Sequence, residues 1–382
     1  MKKVLNVLLI SILVISLSAC TTKKKDNNKE EPKKEEQKEE KVSLNKELAN
    51  VEAFVIDNED ILGINKDGTS VPIIKGIMKN KKMHNIDYSD GALYVVEAET
   101  KMDYPTPNSR SKMLVVKKIW YDRIDLTQGD GNYKLEKIYE YENEDTGSTY
   151  LPTPNVYNNK MYIIKNAKEI ISIDINTKEL KVIENEIKKQ VNNVIYGTYI
   201  HLDKNTGNLF YTGPLGDKVV LAKYDLKTNE RTIIESANNV VYHYHQFTKD
   251  GLIFNVQHYD GNYNTEVKKY TFNDNKVTLL TDKQQDSFYS CGNNYVTTKD
   301  MGPVTKGVEF GPHYMNIVMQ DNNFKDIKNI FEKVNDESGI ILWPYTYDKV
   351  EVSDGKKYYL FDCNNSELKE INNMYTQVAI KN

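Results

Sequence analysis

The sequence has little that would mark a familiar chemistry. Its 382 residues include 10 prolines, 3 cysteines and 2 tryptophans, and the formal net charge is -4. That near balance of charge, with no basic stripe interleaved with aromatics, excludes a nucleic-acid partner. No Gly-x-Ser-x-Gly elbow, no His-Glu-x-x-His helix and no phosphate-cradling glycine-rich loop occurs, so the common signatures of nucleophilic, zinc and nucleotide chemistry are missing. No cofactor is expected, and a binding role stands ahead of a catalytic one. The apolar run at residues 4–16 is too short for a confident membrane span.

What is there points to short strands. Tyrosine is abundant at 27 residues, with many Ile and Val, and Asn, Asp, Gly and Lys fill the gaps between apolar runs.

The first residues, MKKVLNVLLISILVISLSAC, place Lys2 and Lys3 before the apolar run and small residues after it, as in a secretion signal. The four residues Leu17-Ser18-Ala19-Cys20 resemble the lipobox of bacterial lipoproteins. The resemblance implies a signal peptide over 1–19, cleavage before Cys20, and a diacylglyceryl group on that thiol. Two acyl chains on one residue hold a protein at a membrane where one chain does not. The mature protein is therefore expected to be lipid-anchored and to face the extracytoplasmic side. Residues 20–44 are then the modified cysteine and a Lys/Glu-rich tether that lacks aromatics and cannot offset its ordering entropy by burial.

Residues 45–382 repeat. Aligned on the polar residue after an apolar run, similar stretches recur at Asp125, Asp174, Asp225, Asn273, Asp321 and Asp362, at spacings of about 48 to 51 residues and about 41 at the end. Such a period with four short strands, A to D, per unit predicts an all-β propeller of seven blades, with six as the alternative count. Blades two to seven begin near Asn85, Asn155, Asn193, Asn238, Ser287 and Gly339. Blade one is one strand short, and the C-terminal stretch 374–380 is expected to complete it by pairing with 52–57, which removes the open sheet edge. Two stretches, 180–191 and 324–334, carry apolar residues at helical spacing and leave short helices open there.

The repeat resembles the TolB-like and YWTD-like propellers, and the whole chain resembles propeller lipoproteins of Gram-positive-type bacteria. It contains no Tyr-Trp-Thr-Asp, repeated Trp-Asp or kelch Gly-Gly hallmark. The resemblance therefore implies architecture, not activity.

Three groups of residues stand out as candidate sites. Cys291 and Cys363 read first as buried free thiols behaving as small apolar side chains, with a disulfide as the alternative in an exported protein. His243 and His245 lie two apart on a strand, hence on one face, and His258 ends the next strand; zinc or copper accepts such a set. Two long B-to-C loops, 99–113 and 299–314, belong on the ligand-binding face of a propeller, and YPTPN at 104–108 is echoed by LPTPN at 151–155. Tyr104, Arg110, Tyr259, Tyr263, His313 and Tyr314 would ring that surface with aromatic and cationic groups suited to a sugar or peptide. Three roles follow: a binding or scaffold module for a cell-envelope glycan, peptide or protein; a hydrolase or lyase acting on a wall glycan or peptide; and a sensor or assembly partner for another envelope protein.

Overall fold

A computed structural model describes residues 48–381 apart from 79–83, 105–110, 129–132, 145–150, 186, 188–189, 192–193, 196–199, 260–264, 283–287, 306–311, 336–341 and 373–377. The signal peptide, Cys20 and the tether lie outside the described residues, as do Arg110, Tyr263 and the side chain of His245. Among the described residues no helix is long and apolar enough to cross a membrane.

Seven four-stranded antiparallel sheets form the blades of a propeller. Blade five shows the common plan: Val240–Thr248, Gly251–His258, Thr265–Thr271 and Lys276–Thr281 pair in sequence order from the inner to the outer edge. Burial follows position. The second strand, GLIFNVQH, is packed between the neighbouring blades and is almost continuously buried, whereas the fourth, KVTLLT, is mostly exposed or half-buried. A strand covered on both faces must be apolar at successive positions, and an edge strand need not be.

Among the described residues the apolar core is divided into seven clusters, and each joins two adjacent blades. Blades four and five share Phe210, Leu221, Tyr242 and Phe254. Blades seven and one share Ala53, Val55, Ile64, Leu360 and Ile371, with Val378 and Ile380 packed against them. Closure follows the expected route: Val378–Ile380 pairs antiparallel with Val51–Asp57, matching Ala53 to Ile380, Phe54 to Ala379 and Val55 to Val378. The last strand is thus the innermost strand of the first blade.

The repeated acidic residue has a clear job. In the C-to-D turn of blade four, Asp225 Oδ1 accepts hydrogen bonds from the backbone N–H groups of Lys227 and Thr228 at 2.8 and 3.2 Å. Asp174 does the same for Asn176 and Thr177, and Asp362 for Asn364. A residue in the left-handed region then completes the reversal, Lys178, Asn229 and Ser366 having φ of 63°, 60° and 60°. In several blades the residue after the third strand also donates its N–H to the A-to-B turn, as in Leu226 to Gly207 and Ile175 to Asn159. The period read from the sequence is therefore the period of a turn that locks two strand connections together.

One alternative closes and two expectations need correction. Within 180–191 and 324–334 no helix forms among the described residues, and the outer strands of blades three and six are Leu180–Glu184 and Asp326–Asn335. The ladder of the latter shifts register at three places, and bulges that interrupt the period of two imitate a helical spacing. Blade four begins at Ile200–Asp203, because a small ribbon, Gln190–Val191 paired with Val194–Ile195, intervenes after blade three. Cys291 and Cys363 are joined in a disulfide, with Cα atoms 5.8 Å apart, and are not free thiols. Their strand ends belong to blades six and seven, which the fold sets side by side, and Gly292 N–H donates to the Tyr347 carbonyl at 2.8 Å next to the bridge.

Candidate binding surface

Antiparallel strands alternate direction, so all B-to-C connections emerge on one face of the ring and all A-to-B and C-to-D turns on the other. Two B-to-C connections rise well above the rest, and they do so as strands. In blade two, Ala92–Asp103 and Met113–Asp125 stay paired out to Asp103 opposite Met113. Their outer neighbour, Glu136–Glu142, pairs only as far as Lys118 opposite Glu142, so residues 100–103 and 113–116 form a two-stranded arm whose base, Val115 and Val116, is buried and whose tip is not covered by the outer strand. Lys117 Nζ holds Asp103 at 3.0 Å, and Lys112 Nζ sits 5.7 Å from the Tyr104 ring centre.

In blade six, Asn294–Pro303 and His313–Gln320 pair out to Pro303 opposite His313. Asp300 organises this arm: its carboxylate accepts from Gly302 N–H and contacts His313 Nδ1, both at 2.7 Å. The Gly302 bond and then His313 hold Asp300 below the usual carboxylate range. Much of what was expected to be loop at 99–113 and 299–314 is therefore ordered hairpin.

Apolar side chains stand out from both arms. Met102 and Tyr104 are 55% and 50% exposed, Met301 and Tyr314 53% and 36%. Leu215, at the B-to-C end of Asn208–Leu215 in blade four, is exposed on the same face. The two methionines and Leu215 were missed in the sequence, because nothing in an alternating strand marks where the blade body ends and a free arm begins. Tyr104, His313 and Tyr314 share the face but not a cluster, since blades seven and one lie between blades six and two on one side. Tyr259 is half-buried, and its hydroxyl donates to Gln257 Oε1 at 3.1 Å.

The histidines are separated by the ladder. His243 pairs with Asn255 and His258 with Val240, three positions or roughly 10 Å apart along the strands. The register shifts between His243 and Gln246, so the alternation that would put His243 and His245 on one face is interrupted there. Gln246 spends its amide on blade six, donating to the Ser290 carbonyl and accepting from its N–H at 2.8 and 2.7 Å. Burial holds His243 below the usual histidine range, with Gln257 opposing. His258 Nε2 lies 3.4 Å from Glu266, which also pairs with Lys268 at 2.9 Å, and Lys268 reaches Glu235 at 2.6 Å. Burial alone would raise Glu266, but Lys268 and His258 hold it below the carboxylate range, which is the wrong direction for a general acid. Among the described residues no group of three or more His, Cys, Asp or Glu is placed to hold a metal ion.

No protein-family model matches the chain, and no curated protein sequence matches it. Solved structures do. A putative 6-phosphogluconolactonase from Bacteroides fragilis superposes with a TM-score of 0.51 at 11% identity, over 88% of this chain and 99% of the other. One of two prolyl endopeptidases gives 0.51 at 9% identity, over 87% of this chain and 51% of its own. TolB from Acinetobacter baumannii gives 0.36 at 12%, over 76% and 65%, a score too low to argue from. At these identities the likeness establishes the propeller fold and nothing about activity.

Proposed function

We propose that the protein is a lipid-anchored extracytoplasmic lipoprotein whose propeller is a non-catalytic module binding an envelope protein, peptide or glycan through the B-to-C face. The observation that carries the reading is the pair of ordered arms in blades two and six, which hold Met102, Tyr104, Met301 and Tyr314 in solvent. An exposed aromatic on a rigid strand loses little entropy on contact, and such residues dominate interface energies.

The Cys291–Cys363 bridge supports the cellular address. Structural disulfides persist in oxidising compartments and are rare in reducing ones, as expected for a chain exported by the signal at 1–19 and held by Cys20.

A hydrolase or lyase acting on a wall glycan or peptide is the rival reading. It gains no support from the Glu235, Glu266, His258 and Lys268 group, in which Lys268 and His258 hold Glu266 below the carboxylate range against burial. The test pairs two variants of the full-length protein. Cys20→Ala is expected to leave the membrane fraction in detergent partition. Replacing residues 104–112 and 304–312 by tight turns, together with Met102→Ser, Met301→Ser and Tyr314→Ser, is expected to abolish partner recovery from envelope extracts with little change in melting, since these side chains are exposed and loop length alters closure entropy only slowly. Membrane retention of the first variant refutes the anchor; an unchanged partner set for the second refutes the face.

A further inference from the structure

The face opposite the arms carries a cleft of about 330 Å³ where the A-to-B turns of blades five, six and seven meet. It lies by the seam between blades five and six, whose apolar cluster, Ile253, Val267, Phe288 and Tyr295, is the smallest of the seven. The seam is held in part by polar bonds, those of Gln246 to Ser290. The walls are built of the Asp250–Lys269 ion pair, the amides of Asn293, Asn294 and Asn322, and Tyr347.

Two features bear on what the cleft can hold. First, the frame is rigid. The Tyr295, Phe288 and Phe324 rings pack in a triangle, with centroids 4.8, 5.2 and 5.9 Å apart, and the Cys291–Cys363 bridge ties the blade-six turn to blade seven. Gly292, at φ 64°, makes the turn where an added Cβ would come within 3.2 Å of Asn364 Oδ1. Second, its hydrogen-bonding capacity is open. Among the described residues no hydrogen bond engages the side-chain amides of Asn293, Asn294 and Asn322 or the Tyr347 hydroxyl. Each amide offers donors and an acceptor together.

One ion pair is neutralised within the wall. Lys269 Nζ contacts both Asp250 oxygens at 2.7 and 2.9 Å, and this bond first of all holds Asp250 below the carboxylate range. Lys249 adds a further cation to the lining, and Asp250 and Asp348 both act electrostatically on Tyr347. A pocket at the small end of the ligand-binding range of about 300–1,000 Å³, lined by amides, an internally neutralised ion pair and a 40% exposed tyrosine ring, suits neighbouring hydroxyl groups on a ring with an apolar face.

We propose that this cleft is a second binding site, separate from the arms, and that it takes an uncharged sugar ring. The probes are maltotriose and chitotriose, each titrated into the full-length protein in detergent and followed by saturation-transfer NMR and calorimetry. At least one trisaccharide is expected to bind, with little dependence on salt, and Asn322→Ala and Tyr347→Ala are each expected to weaken it by roughly tenfold. Both side chains are exposed, so both variants are expected to melt as the parent does; if Tyr347→Ala does not, Asn322→Ala decides alone. The variant lacking 104–112 and 304–312 is expected to bind the sugar unchanged. No binding by either trisaccharide, unchanged affinity in the cleft variants, loss on shortening the arms, or a steep fall with salt overturns the proposal.

Discussion

The two faces of the ring are built on different principles. On the turn face the same device returns in blades three, four and seven: an Asp takes one or two backbone N–H groups, a residue with positive φ follows, and the next strand begins. On the arm face the connections differ in length, from two-residue turns at 58–59 and 216–217 to extended hairpins. Blade three turns at residues 166–168, while blades two and six continue as paired strands to Asp103 and Pro303. Repetition marks what a blade needs in order to fold; departure from repetition marks where a single blade does something else.

If the repeated framework carries the stability, breaking the ring must have the largest effect. Removing residues 373–382 deletes Val378–Ile380, leaves Val51–Asp57 as an open edge and uncovers apolar surface on Ala53 and Phe54. Three lost ladder positions and three apolar side chains amount to on the order of 5 kcal/mol or more, comparable to the whole stability of a domain. Loss of cooperative melting and aggregation are expected in calorimetry and light scattering; a truncated protein that melts like the parent refutes closure by this strand.

The disulfide comes next. Its 72-residue span implies a loss of about 4 kcal/mol for Cys291→Ala with Cys363→Ala, or roughly 10 °C in melting temperature. Thiol reductant is expected to lower the melting of the parent and leave the double variant unmoved. Equal melting of parent and variant places the stability elsewhere.

A single turn contributes least. The Lys227 N–H bond holds Asp225 below its ordinary range, as the Thr177 N–H bond does Asp174. A carboxylate lowered in the folded state stabilises above its unfolded pKa, near 4, and the contribution is lost as pH falls through the folded value. Asp225→Ala is expected to cost on the order of 1 kcal/mol or less, because the turn is largely solvated and screened. Asp225→Asn keeps the acceptor and restores most of it. Chemical denaturation at pH 7 and pH 3 reads the difference: the gap between Asp225→Ala and the parent narrows in acid. A gap that widens contradicts the sign.

The turn face was legible in the sequence because its signal is local. Asp174, Asp225 and Asp362 sit within a few residues of the N–H groups they bind, so the period, the blade count and the closing strand followed from short-range pattern. What escaped depends on neighbours far along the chain. The bridge between Cys291 and Cys363 needed two blade ends to meet, and the bulges in Asp326–Asn335 and at His243 broke the alternation on which face assignments rest. The binding set was legible only in part: the 99–113 and 299–314 stretches announced themselves by length, but the exposure of Met102, Met301 and Leu215 is a property of where the blade stops.

The central claim is that partners meet the arms and not the repeated turns. Photo-crosslinking in intact cells tests it directly, with p-benzoylphenylalanine placed singly at position 104, at 314 and, as the turn-face control, at 228 of the full-length protein. The account predicts discrete adducts from 104 and 314 and none from 228. Adducts from 228 with none from 104 or 314 would contradict it.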